Sequence, residues 1–180
     1  MQRVAAAELP ALSSGPALTR ARWGIAMDIR TLPDGSTIYS DPRGALQVHA
    51  LDGAARHHVC TGFTFTELAQ YVIADGERAI AKTGNCVFLV DTLDSTRMET
   101  GFREQMMKWF SERRGKVVAH MLLRSKFVEM AINVANMVVG TSVAKAYSDV
   151  GEWERVGKTQ FGPTFRRRPM PQSLDAPVTV

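Results

Sequence analysis

The sequence predicts a single α/β domain: a mixed β-sheet with antiparallel N-terminal strands and a βαβαβ parallel half, its helices packed on the sheet. Three observations predict it. The 180 residues are 45% apolar, enough for one core of ordinary size. The second half alternates short apolar runs with amphipathic helices. The first half instead sets β-favouring runs around turn residues.

Ser36–Asp41 and Ala45–Leu51 are β-favouring runs joined by Pro42, Arg43 and Gly44, and Asp52–Gly53 supplies the next turn. Arg56–Cys60 completes a meander. Thr64 and Glu67 have capping-box spacing, and beyond them Leu68, Tyr71, Val72, Ala79 and Ile80 recur at helical intervals until Gly84. Cys86–Asp91 is an apolar run of strand length. Phe102, Met106, Trp109 and Phe110 then share one face of a helix that starts near Glu99 or Thr100, shows Arg103, Glu104, Lys108 and Glu112 on its other side, and ends by Gly115. Lys116–Leu123 is the next strand. Ser125 caps a helix presenting Phe127, Met130, Ala131, Val134, Met137 and Val138, and Gly140 stops it. Ser142–Tyr147 is a further strand, and Asp149 opens a short helix through Trp153. A helix that returns the chain between two strands makes them parallel, with a right-handed crossover.

The ends lack such patterning. Residues 1–26 read as a flexible extension, with Met27 as a second translation start before the patterned region. Residues 27–157 form the domain, and residues 158–180, with Pro163, Pro169, Pro171 and Pro177, read as a disordered basic tail. The formal charge of +4 divides into +2 for residues 1–26 and +3 for residues 157–180, leaving −1 for residues 27–156. A nearly neutral domain is not the composition of a nucleic-acid-binding fold. Glu8, Pro10 and Pro16 interrupt the N-terminal Ala-rich stretch before it reaches signal-peptide length. The apolar stretch from Phe127 to Ala144 contains Glu129, Asn133 and Asn136, which mark a core helix rather than a membrane span. A cytoplasmic protein with two free thiols, Cys60 and Cys86, is the reading that follows.

Four stretches carry a family resemblance. They are Val87 to Asp91, Gly101 to Arg103 with Trp109, Leu122 to Lys126, and Lys145 to Asp149. Together they resemble the SpoIIAA-like, or STAS, domains of the sulfate-transporter and anti-sigma-factor-antagonist superfamily, and the stretch from Leu122 to Gly140 resembles an uncharacterised bacterial branch. The resemblance covers residues 36–156. It implies a non-enzymatic regulatory domain that docks onto a protein partner, in the best-known members a kinase-like anti-sigma factor that phosphorylates a serine. The phosphoacceptor of those members lies in an Asp-Ser-Ser/Thr-Gly motif at the start of the helix after the central strand. Asp94–Ser95–Thr96 matches its first three positions, but Arg97 replaces the glycine that would let the backbone turn closely into the helix. Ser95 and Thr96 are therefore the candidate phosphoacceptors. The helical spacing starts several residues later, which places Ser95 in a loop, and Asp94 with Ser95 also fits a plain turn or cap.

In a parallel α/β sheet the loops beyond the carboxyl ends of the strands converge. Asp91, Asp94 and Arg97 from one loop, Arg124, Ser125 and Lys126 from the next, and Ser148–Asp149 should then share a rim for a partner or an anion. Alternatively Ser125 only caps, and Arg124 and Lys126 are solvated or pair with Asp91 or Asp94. Glu129, Asn133 and Asn136 form a polar stripe that reads as the solvated side of its helix, and Met106, Met107, Met130 and Met137 read mostly as core.

No nucleophile elbow, phosphate-binding glycine loop or His-rich helix is present in the sequence, so no catalytic residue and no cofactor is expected. His58 and Cys60 would share one side of a strand, and two ligands make no metal site. The expected partner is a protein, a kinase-like regulator or a second copy. A small-ligand or lipid sensor on the same fold is the alternative, and it requires an enclosed apolar pocket.

Overall fold

The computed structural model describes residues 27–49, 53–139 and 143–171. Among the described residues seven strands form one sheet in chain order: β1 (Asp28–Thr31), β2 (Thr37–Asp41), β3 (Gly44–His49), β4 (Ala55–Thr64), β5 (Cys86–Met98), β6 (Val117–Leu122) and β7 (Ala144–Tyr147). The helices are α1 (Leu68–Thr83), α2 (Thr100–Glu112), α3 (Lys126–Val139) and α4 (Val150–Phe161). β1 to β4 pair antiparallel, and β4, β5, β6 and β7 run parallel. The mixed sheet matches the expected architecture, with β1 an added edge strand.

Alternation along the strands gives the sheet two apolar faces. On one, Leu46, Val48, Cys60, Cys86, Phe88, Val117 and Ala119 meet α1 through Leu68, Ala69, Val72 and Ala79 and α2 through Phe102, Met106 and Trp109. Gly76 lets the two helices close up, since a Cβ there would strike the Trp109 and Phe88 rings. Gly84 ends α1 in the left-handed region at φ 84°, its N–H donating to Ile80 at 2.8 Å.

The other face is covered in two parts. Leu89, Leu122 and Tyr147 pack on Trp153 of α4, whose indole N–H donates to the His120 carbonyl at 3.0 Å. Ile38, Ala45 and Val59 pack on Met170. This corrects the reading of residues 158–180 as a disordered tail: α4 continues to Phe161, and residues 162–171 return over the sheet. Prolines and arginines hid three spaced anchors, Phe165, Arg167 and Met170. Residues 172–180, like the extension at 1–26 and the helix stop at Gly140, lie outside the described residues.

Three local expectations also change. The Thr64–Glu67 capping box does not form; the Glu99 carboxylate accepts the Thr66 N–H and hydroxyl, both at 2.6 Å, while Thr64 turns to Ser95 at 3.1 Å. β5 runs on to Met98, so Ser95 lies in a strand rather than a loop. Over its described side chains, residues 126–134, α3 is not a core helix, and Asn136, Met137 and Val138 lie outside the described side chains. It packs along β7 at the sheet edge, where the Asn133 amide donates to the Ala146 carbonyl at 3.1 Å and accepts the Ala146 N–H at 3.0 Å. Asn133 thus stands in for the next strand and satisfies the edge. That polar residue faces inward, and the stripe Phe127, Met130, Ala131 and Val134 faces out. Met106 is buried as expected, but Met107 and Met130 are exposed.

Candidate functional site

β5 and β6 bring the expected rim together in part. Asp91 ends the stretch of β5 that pairs with β6, opposite Leu122, and is only 1% exposed. Its Oδ1 accepts the Leu93 N–H at 3.0 Å, and its Oδ2 accepts Arg167 Nε. Asp94 takes the other arm of the same guanidinium at 3.1 Å and lies 3.6 Å from Arg124. The Arg167 N–H donates to Glu154 Oε1 at 2.8 Å. Burial would lower the Arg167 pKa, but its hydrogen bonds and charge contacts with Asp91 and Asp94 hold it above the ordinary value. The acidic half of the rim is therefore filled by the chain's own arginine.

Ser95, Thr96 and Arg97 are carried past this cluster along β4, Ser95 opposite Gly62 and Arg97 opposite Phe63. Ser95 is half-buried, its hydroxyl donating to the Gly62 carbonyl at 3.3 Å. Thr96 and Arg97 are exposed. On the other side Ser125 accepts the Val128 N–H at 3.3 Å, which is the expected cap, and Lys126 starts α3 in solvent. Asp149 caps α4 by accepting the Glu152 N–H at 2.7 Å.

From this cationic corner α3 projects its apolar side. Phe127 is 80% exposed, Met130 58% and Val134 54%, at i, i+3 and i+7 on one face. Inward of them an open groove of about 320 Å³ is lined by Glu129, Asn133, Lys145, Tyr147, Glu152 and Arg155 among others. A cleft of about 90 Å³ lies between the stacked His49 and His57 rings and Phe165 and Arg168. Neither is the enclosed apolar pocket that a lipid or small-ligand sensor requires.

His58, Arg56 and Asp75 form one polar cluster in the core. His58 Nε2 lies 2.9 Å from Asp75 Oδ2, and Arg56 lies 3.2 Å from the same carboxylate. Burial opposes ionisation of Asp75, but His58, Arg56 and Arg78 together pull its pKa below the usual range. Burial pushes the Cys60 and Cys86 thiols up to about 12, so both stay protonated. Burial also drives His57 down to about 3, reinforced by His49, His58 and the Arg168 and Arg167 charges. Sequence reasoning missed Arg167 and the inward role of Asn133; Phe165 and Met170, apolar residues inside a basic stretch, were the available signal for the first.

No family model matches the chain, and no curated protein matches it. Among solved structures it is similar to the crystal structure of an uncharacterized protein from the DUF3478 family with a SpoIIAA-like fold, from Shewanella loihica PV-4. The two are 16% identical, with a TM-score of 0.49, over 68% of this chain and 98% of that chain.

Proposed function

We propose that the chain is a non-enzymatic regulatory module that docks onto a cytoplasmic protein partner through the outward face of α3 and the adjoining Arg124 and Lys126. One observation carries this reading: Phe127, Met130 and Val134 form an apolar stripe in solvent on a helix whose polar Asn133 is used to hold it to the sheet. Contiguous exposed apolar surface rimmed by charge is what a docking site looks like. The partner is a kinase-like regulator or a second copy. Thr96 is the accessible candidate phosphoacceptor and Ser95 the half-buried one; a phosphate on either adds a charge of about −1.5 to −2 beside Asp94 and Arg97 and weakens docking at the neighbouring corner.

The test is a double variant, Phe127→Ser with Met130→Ser, compared with Glu104→Ser with Lys108→Ser on α2. Because Phe127 and Met130 are exposed, the first pair is expected to change stability by no more than about 0.5 kcal/mol while recovery of the partner from native cells falls at least about tenfold. The α2 pair is expected to leave recovery unchanged. Equal recovery by both variants, or loss of binding to lipid vesicles in place of a protein, would contradict the reading and favour a membrane-surface role for α3.

A further inference from the structure

Residues 162–171 are held as a bound peptide is held. Past Gly162, whose φ of +94° breaks away from α4, the segment has no strand pairing and relies on spaced side-chain anchors. Phe165 enters an aromatic pocket, its ring centroid 5.0 Å from Phe161, 5.5 Å from His57 and 5.6 Å from Trp153. Gly157 makes room for it, since a Cβ at that position would strike the Phe165 ring. Arg167 is gripped by Asp91, Asp94 and Glu154. Met170 is buried against Ile38, Ala45 and Val59, with the Thr61 hydroxyl 3.5 Å from its sulfur. The segment thus runs from an aromatic pocket on α4, past an acidic clamp on β5 and α4, to an apolar seat on β2, β3 and β4.

We propose that this path is a receptor groove for an extended arginine-bearing segment of a partner protein, and that residues 162–171 occupy it in cis as a competing pseudo-ligand. The ligand chemistry is written by the occupant: an aromatic residue, an arginine two positions on, and an apolar residue three beyond that. Charge complementarity commits the site to a basic segment, because two carboxylates, Asp91 and Asp94, converge on one guanidinium while Glu154 accepts the backbone N–H of the same residue. A tethered occupant acts at an effective concentration of about millimolar, so a partner segment binds only when it exceeds that competition or when the tether is weakened. The inference rests on the reading of the chain as an interaction module but uses no residue of α3.

The experiment uses a fluorescent peptide copying residues 162–171 and the full-length chain, with binding read by fluorescence anisotropy. The wild-type chain is expected to bind it weakly. Arg167→Ala, which loosens the cis segment, is expected to bind it at least tenfold more tightly. Adding Asp94→Asn, or replacing the peptide's own Arg167 by Ala, is expected to reverse that gain. Should Arg167→Ala fail to fold, Met170→Ala, which leaves the ion pair intact, carries the same comparison. Folded variants that bind the peptide no better than wild type would overturn the proposal. A wild-type dimer that the peptide dissociates would also overturn it, by assigning the groove to a second copy. Phe127→Ser with Met130→Ser is expected to leave peptide binding unchanged, which separates failure here from failure of the α3 docking face.

Discussion

His57 shows how burial turns one side chain into a pH liability. Its ring is stacked on His49 at 4.8 Å and walled by Trp153 and Phe165, and its Nε2 has no hydrogen-bond partner among the described residues. Below its ordinary pKa of 6.5 the unfolded imidazole takes a proton that the folded one refuses until about 3. Stability is therefore intact above that ordinary value and falls as pH drops through the window, by up to about 1.4 kcal/mol per pH unit from this group. His49 and His120, also lowered by burial, act in the same direction. Urea titrations between about pH 4.5 and 7 are expected to show that slope, and His57→Phe, which keeps an aromatic ring in the cluster, is expected to flatten it. An unchanged slope in the variant would place the acid sensitivity elsewhere. At this scale the sequence was partly legible. Alternation assigned His58 and Cys60 to one side of the strand, but no local pattern announced that Glu99 would accept the Thr66 N–H and hydroxyl 33 residues upstream or that Arg167 would reach Asp91.

α3 is the element whose existence was legible and whose orientation was not. Ser125 and the recurrence of Phe127, Met130, Ala131 and Val134 specify a helix, yet an amphipathic stripe is read as core-facing only if a core lies on that side. Here β7 is four residues long and ends the sheet, so the helix lies along its edge. The polar side then does the holding. Asn133 satisfies both backbone groups of Ala146, which is buried. Asn133→Leu is expected to strand that N–H and carbonyl and cost about 1–3 kcal/mol. Amide hydrogen exchange is expected to show protection lost along α3 and β7 while β4 and β5 remain protected. Uniform loss across the sheet would mean instead that α3 is part of the global folding unit. β5 outruns its apolar run for a related reason: the run stops at Asp91, but pairing with β4 continues to Met98 through a mostly polar stretch that carries no apolar alternation.

At the scale of the whole molecule, the order of periodicities was enough to give the sheet, since meander punctuation followed by two strand–helix–strand units leaves few topologies. What covers the second sheet face was not legible, because Phe165, Arg167 and Met170 are spaced as a linear motif is and sit among prolines and arginines. The molecule that results has one face covered by α1 and α2, another covered by α4 and its own C-terminal segment, and an edge helix whose apolar side is left to solvent. Methionine oxidation footprinting tests the claim that this last surface is the docking face. Met107 and Met130 are 68% and 58% exposed, whereas Met106 and Met170 are each 8% exposed. In the purified chain Met107 and Met130 are expected to oxidise well ahead of the buried pair. In the complex isolated from native cells Met130 alone is expected to become protected, with Met107 on α2 still reactive. A Met130 that is slow in the free chain, or equally fast in the complex, would contradict the account.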